Sequence, residues 1–265
     1  MCLDSRIAFQ PVCEQFKSVI LTSGTMSPME IYPKILGFNP ISMRSFNINL
    51  PINTINPIVV SRSVDQTNLS SEYSERSNTS VIKNYGQLIV DIAKSVPDGV
   101  VVFFPSYFFM EEVVLQWKQF GIIEKLLEYK LLFIETRSIE DTSKALTNYR
   151  AACDVGRGAV FLSVARGKVA EGIDFHGHYG RAVVMIGIPF LYTLCRQLLC
   201  RVDFLQKNFG ITKEEFFVFD AVRQCCQCLG RVIRSKADYG IMILADRRWS
   251  SQVKYSKFPL WIKSQ

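Results

Sequence analysis

Gln227, Arg231 and Arg234 stand in the spacing Q-x-x-G-R-x-x-R, at the end of a long segment of helical apolar periodicity. Side chains three and four apart on a helix are surface neighbours, so the three share a face. Arginine keeps its charge at physiological pH and presents a planar fork of donors that matches phosphate oxygens. The chemistry open to such a comb is phosphoryl transfer, where an arginine reaching across a cleft to a γ-phosphate is worth about 10³–10⁵ in rate. The same residues also suit the basic last turn of an amphipathic helix, which the helix dipole favours. Gly230 speaks for the comb, because glycine inside a helix costs about 1 kcal/mol relative to alanine and calls for a packing or close-approach reason. A comb needs a partner lobe to hold the nucleotide, and the chain has no G-x-x-x-x-G-K-[ST] loop to do so.

Three other segments could do chemistry. In Val164-Ala165-Arg166-Gly167-Lys168-Val169-Ala170-Glu171-Gly172-Ile173-Asp174-Phe175 the glycines let backbone amides approach a phosphate, and Arg166 and Lys168 supply charge. Asp174 suits a ribose hydroxyl; a plain charged loop is the alternative. In Phe103-Phe104-Pro105-Ser106-Tyr107, Ser106 can donate to a phosphate and Tyr107 can stack on a base, or the pair can cap a helix and fill a core. In Ile20-Leu21-Thr22-Ser23-Gly24-Thr25-Met26-Ser27-Pro28, Thr25 or Ser27 would cap a helix starting at Pro28, with a turn that senses phosphate and nucleic acid as the functional alternative. Cys225, Cys226 and Cys228 lack C-x-x-C spacing and read as buried thiols of a core helix, with no metal. His176 and His178, the two histidines, read as part of a loop.

The elements that must position these residues alternate. Runs of strand type are Ser18–Thr22, Pro57–Ser61, Val100–Phe104, Leu131–Glu135, Ala159–Val164, Ala182–Ile188 and Tyr239–Ala245, most of them continuously apolar, as in a parallel sheet buried on both faces. Helical periodicity runs over Val81–Ser95, Met110–Phe120, Asp141–Cys153, Leu194–Phe209 and Lys213–Arg234. The alternation predicts an α/β doubly wound domain, mostly parallel, with helices on both faces. Ser45–Pro57 would add an edge strand, and Ser61–Ser80, rich in Ser, Asn, Thr and Glu, reads as an exposed loop that does not divide the domain.

The chain has 265 residues, a net charge of +7 and a pI near 9.0, which favours a polyanionic partner only weakly. No apolar run reaches bilayer-spanning length, so no membrane role is expected, and the start lacks the pattern of a signal peptide. Eight cysteines scattered through apolar segments suit a reducing compartment.

The order of the motifs is more specific than any one of them. Thr-Ser-Gly-Thr, Phe-Phe-Pro-Ser-Tyr, Ala-Arg-Gly-Lys-x-x-Glu-Gly-Ile-Asp-Phe and Gln-Cys-x-Gly-Arg-x-Ile-Arg succeed one another as in the second half of a superfamily 2 helicase. With Ile31–Leu36, Leu131–Thr136, His178–Val183, Phe219-Asp220-Ala221 and Pro259-Leu260-Trp261-Ile262, the chain resembles the XPD family of iron–sulfur DNA helicases from about Cys2 to its end. The resemblance implies a RecA-like lobe over residues 1–265 carrying motifs III to VI, cut from a larger helicase and inactive alone. It implies ATP and Mg²⁺, held mainly by a first RecA-like lobe that this sequence lacks, with Gln227, Arg231 and Arg234 catalytic and Gly172, Asp174 and Gly230 at the nucleotide. Single-stranded DNA would lie on Ser106, Tyr107, Ser163 and Arg166. The family's iron–sulfur cluster belongs to an insertion in the first lobe, and none of these cysteines corresponds to its ligands. Nuclear work follows from the resemblance: 5′-to-3′ unwinding in nucleotide excision repair and a role in transcription initiation, within TFIIH. A docking role for the von Willebrand-like subunit of TFIIH is the alternative, as is the equivalent lobe of a sister helicase. Arg248 and Trp249, with Arg223 and Arg247, are the candidate docking surface, because Trp and Arg dominate interface energies; a Trp that merely covers the core is the competing reading.

Overall fold

The computed structural model describes residues 3–46, 54–231 and 238–263. Six apolar runs become strands: β1 (Ile55–Val59), β2 (Gly99–Phe104), β3 (Leu131–Ile134), β4 (Ala159–Val164), β5 (Ala182–Ile186) and β6 (Gly240–Ala245). They pair in the order β1-β6-β5-β2-β4-β3, every neighbour parallel. β2, β4 and β5 are buried at every residue, which is why they are apolar without alternation, save Ser163 in β4. Period two then sorts their side chains onto two faces. Val101, Phe103, Phe161 and Met185 join one core, and Val100, Val102, Phe104, Leu162 and Ile186 join the other.

The helices are α1 (Arg6–Gln15), α2 (Ile31–Leu36), α3 (Thr79–Ser95), α4 (Tyr107–Gln119), α5 (Ile122–Tyr129), α6 (Ile139–Asp154), α7 (Lys168–Gly172), α8 (Arg196–Phe209), α9 (Lys213–Leu229), α10 (Gln252–Tyr255) and α11 (Leu260–Lys263). α3, α4 and α5 cover one face of the sheet, with Ile82, Tyr85, Trp117 and Leu126. α6 and α9 cover the other, with Leu146, Tyr149, Val222 and Cys225. Side-chain caps fix the start of four of the long helices, α3, α4, α6 and α9. Asn78, Ser106, Ser138 and Thr212 each accept from a backbone N–H in the first turn of the helix that follows. A third, smaller cluster packs Ile31 of α2 against Val202 and Leu205 of α8 and Phe216 and Phe219 of α9.

Several expectations change. Ser18–Thr22 is not a strand: it is irregular and exposed, with Ile20 87% accessible, and no strand among the described residues pairs with it. The helix expected from Pro28 starts at Ile31 without a side-chain cap, while Ser23 and Thr25 hydrogen-bond each other instead (3.3 Å). α5 was not expected; Gly121, at φ +68°, ends one helix and opens the next. Residues 47–53, most of the expected edge segment, and 232–237 lie outside the described residues, but β1 does form one edge of the sheet. The loop 61–80 runs largely over the surface yet is pinned by Leu69, which is fully buried, and by Ser71, whose N–H donates to Asp246 (2.9 Å).

Candidate functional site

In a parallel sheet the carboxyl ends of all strands lie along one edge, where ligands of open α/β folds collect. The loops that leave β2, β3 and β4 there carry Ser106, Glu135 and Arg166. Ser106 is the N-cap of α4, accepting from the Phe109 N–H (3.3 Å), and its own hydroxyl proton stays available to a partner. Tyr107 is half-buried; its hydroxyl donates to Glu135 (2.6 Å) and the Arg137 guanidinium lies 5.6 Å from its ring centre. Burial first, and then the Glu135 carboxylate, push the Tyr107 phenol well above its usual range, so it stays a donor. Ser163 is fully buried and donates to Glu135 (2.6 Å), so it supports this corner from beneath and cannot face a DNA strand as expected.

Arg166 points toward α9. Its Nη2 donates to the Pro189 carbonyl (2.8 Å) and pairs with Asp220, which also takes Arg223 (3.3 Å). A phosphate at Arg166 must therefore compete with a carboxylate already in place. α9 holds the same loop twice more, through Gln224 Nε2 and Cys228 Sγ, both donating to the Ala165 carbonyl. Cys225, Cys226 and Cys228 are fully buried, and burial raises each thiol well above its ordinary range.

Farther along α9 the comb meets the end of α7. Arg231 donates to the Glu171 carbonyl (2.8 Å) and pairs with Asp174 (3.3 Å), while its own carbonyl accepts from the Phe175 N–H (2.9 Å). The side chain is 19% exposed and that of Asp174 43%. Gln227, one turn before Arg231, is partly exposed, and Gly172, the last residue of α7, has open space where a side chain would stand. The structure thus brings Gln227, Gly230, Arg231, Gly172 and Asp174 to one place. Arg234 lies outside the described residues. Gly230 follows α9 at φ −68°, so no left-handed turn demands it.

The expected docking pair does not form a surface. Trp249 is fully buried, donates to the Gly187 carbonyl (3.1 Å) and packs on Phe258. Arg248 is spent on Asp246 through two bonds (2.9 and 2.7 Å) and on Ser71 (2.9 Å).

Sequence reasoning missed Glu135, Asp220 and Gln224. Asp220 and Gln224 are polar residues among buried neighbours on α9, a local sign that a buried partner awaits them, whereas Glu135 is a lone buried carboxylate between partly buried and exposed positions.

Residues 89–265 match the helicase C-terminal domain family. The chain belongs to that family. It is 51% identical over 263 residues to the general transcription and DNA repair factor IIH helicase subunit XPD of Arabidopsis thaliana, covering 99% of this chain and 35% of that protein. It is 32% identical over 255 residues to the regulator of telomere elongation helicase 1 homolog of Drosophila melanogaster, covering 94% of this chain and 26% of that protein. A solved XPD helicase structure superposes with a TM-score of 0.67 at 22% identity, over 96% of this chain and 43% of the other, which shows a shared fold. The chain spans about a quarter to a third of the length of the curated relatives it matches. Among the described residues no three His, Cys, Asp or Glu side chains converge to hold a metal, and no helix is long and apolar enough to cross a membrane. The three thiols of α9 lie in the apolar core, so this helicase C-terminal domain offers no fit for an iron–sulfur cluster there.

Proposed function

We propose that the chain is the second motor lobe of an ATP-dependent 5′-to-3′ DNA helicase of the XPD type, working in the nucleus within TFIIH in nucleotide excision repair and transcription initiation. The observation that carries the reading is Arg231. It is a guanidinium on a rigid helix end, partly exposed, and held by a carbonyl and a half-exposed carboxylate that a phosphate could replace. ATP would lie between this lobe and a first RecA-like lobe, which would supply the phosphate loop and the Mg²⁺ ligands. Arg231, with Gln227 and Arg234, would complete the site from this side; Gly172 leaves room for the nucleotide, and Asp174 parks Arg231 until the phosphate arrives. Single-stranded DNA would cross the strand-end edge at Ser106 and Tyr107, with Arg166 entering only if it leaves Asp220. The closer identity to TFIIH subunits than to the telomere-length helicase favours the XPD type over a sister lobe. A docking role for the von Willebrand-like subunit would need another surface, because Trp249 cannot carry it from the core.

The test is Arg231→Ala in a protein carrying both lobes. The expected result is a loss of about 10³-fold in ATP hydrolysis with DNA affinity and melting temperature near those of the parent. Hydrolysis within a few-fold of the parent would make Arg231 an ordinary helix-end cation.

A further inference from the structure

We propose that Glu135 is a positioning residue that couples the strand face at Tyr107 to the guanidinium of Arg231, through the short helix α7. The inference rests on the motor-lobe reading above. Glu135 is 1% exposed and sits where β3 ends. Its Oε1 accepts from the Tyr107 hydroxyl (2.6 Å) and the Lys168 N–H (2.9 Å). Its Oε2 accepts from the Ser163 hydroxyl (2.6 Å) and the Val164 N–H (3.1 Å). An ionised carboxylate has about four lone-pair sites, so these donors saturate it. Nothing is left for a substrate, and the role is mechanical.

Gly167 is what lets the carboxylate in. A Cβ there would lie 2.5 Å from Oε1 and 2.7 Å from Oε2, closer than real contacts allow. The two ends of α7 are then held by different partners. Its first residue, Lys168, hangs on Glu135, and the Glu171 carbonyl near its last turn accepts from Arg231 (2.8 Å). Bonds of 2.6, 2.9 and 2.8 Å and one helix of five residues therefore link a phenol at the start of α4 to a guanidinium beyond the end of α9. A contiguous network carries coupling when some element of it has two arrangements. Arg231 supplies the second arrangement: to take a phosphate it must release the Glu171 carbonyl and Asp174. α7, freed at that end, pivots on the Lys168 bond and shifts the hold of Glu135 on Tyr107. Binding of DNA at Tyr107 biases the same path in the other direction, as reciprocity of coupling requires.

The experiment measures ATP hydrolysis by the protein carrying both lobes, with and without saturating single-stranded DNA, beside DNA affinity and melting temperature. Tyr107→Phe keeps the ring and removes one donor. Glu135→Gln keeps the shape and replaces one acceptor oxygen by a donor. Each is expected to cut the stimulation by DNA about tenfold, the size of one charge-assisted hydrogen bond, while DNA affinity stays within about threefold. The double variant should be no worse than the more damaging single, the mark of two residues acting through one bond. Undiminished stimulation in Tyr107→Phe, or losses that add, overturns the coupling; where Glu135→Gln does not fold, Tyr107→Phe decides alone. Tyr107→Ala separates the two levels. If it binds DNA as the parent does, the strand face lies elsewhere and the coupling falls with it. If it weakens binding while Tyr107→Phe is stimulated normally, only the coupling falls.

Discussion

Arg231 and Arg248 each follow a regular element and each pair with an aspartate, yet they are opposite kinds of arginine. Arg248 meets Asp246 through Nε and Nη2 at 2.9 and 2.7 Å, and Asp246 is fully buried and takes the Ser71 N–H as well. Arg231 meets Asp174 at 3.3 Å, and Asp174 is 43% exposed. Removing one partner of a buried pair strands the other charge, whereas an exposed pair contributes little. The difference teaches that an arginine near a site is available for work only when its resting partner is easily replaced. Arg248 holds the 61–80 loop to the sheet; Arg231 is held loosely enough to change partners.

The comparison breaks first on stability. Arg248→Ala should cost about 3 kcal/mol, because Asp246 is left buried without its counter-charge. Arg231→Ala should cost less than about 1 kcal/mol. Urea unfolding of the two variants decides it: equal midpoints would mean that geometry has misjudged which arginine is structural. Because Trp249 is core, a loss of partner binding in a Trp249→Ala variant would report unfolding and not a lost docking contact.

A second test asks whether the frame beneath Arg231 is as tight as drawn. Cys225, Cys226 and Cys228 line the buried side of α9, and Cys153 lies in the same core, while Cys13 and Cys200 are exposed. Burial disfavours the thiolate and pushes Cys153 up to about 11 from an ordinary value near 9. At pH 8 the four buried thiols are therefore protonated and shielded, and maleimide should label Cys13 and Cys200 first. The sign of the linkage follows: a thiol kept neutral in the fold stabilises fully below pH 9, and that contribution is lost as pH rises toward about 11. Labelling of the α9 thiols at pH 8 without denaturant would mean that the helix is not seated, and that Arg231 has no fixed place.

The fold was legible where burial is complete. Val100–Phe104 and Ala182–Ile186 are apolar at every position, and Ala159–Val164 at all but Ser163, because both sheet faces are covered, and runs of this length bounded by loops suit strands. Ser18–Thr22 is also rich in β-branched residues but pairs with no strand among the described residues, which shows that strand propensity is a statement about a surface to pair with. The site was legible as far as it is local. Gln227, Arg231, Gly172 and Asp174 were expected together from their types and spacing, and the structure does bring them together. What they touch is not local: Glu135 is a carboxylate at the end of an apolar strand, and only the pairing of β3 with β4 sets it beneath Gly167 and Lys168. Arg166 and Ser163 were expected on a DNA face from the family resemblance, and neither a strand nor a loop sequence says which partner a side chain will take; Asp220 and Glu135, distant in the chain, take these two.

The smallest effect is the most discriminating. Gly230 earned its place in the comb by the argument that a helical glycine needs a reason, but its φ of −68° is ordinary, and a Cβ would meet only the Cys226 carbonyl, at 3.1 Å, and the Gln227 carbonyl, at 4.0 Å. Nothing in the described residues fills the space above it from another element. Within this chain, Gly230→Ala should therefore shift stability by less than about 1 kcal/mol in either direction, the helix propensity of alanine offsetting the tight carbonyl contact. In a protein carrying both lobes two outcomes remain. Hydrolysis near that of the parent makes Gly230 a helix end and leaves Arg231 to act alone. A fall in hydrolysis with the melting temperature unmoved means that the room above Gly230 is used by something this lobe does not contain. The nucleotide and the facing lobe are then told apart by the Michaelis constant for ATP, which rises if the methyl group meets the nucleotide and holds if it meets the closing lobe.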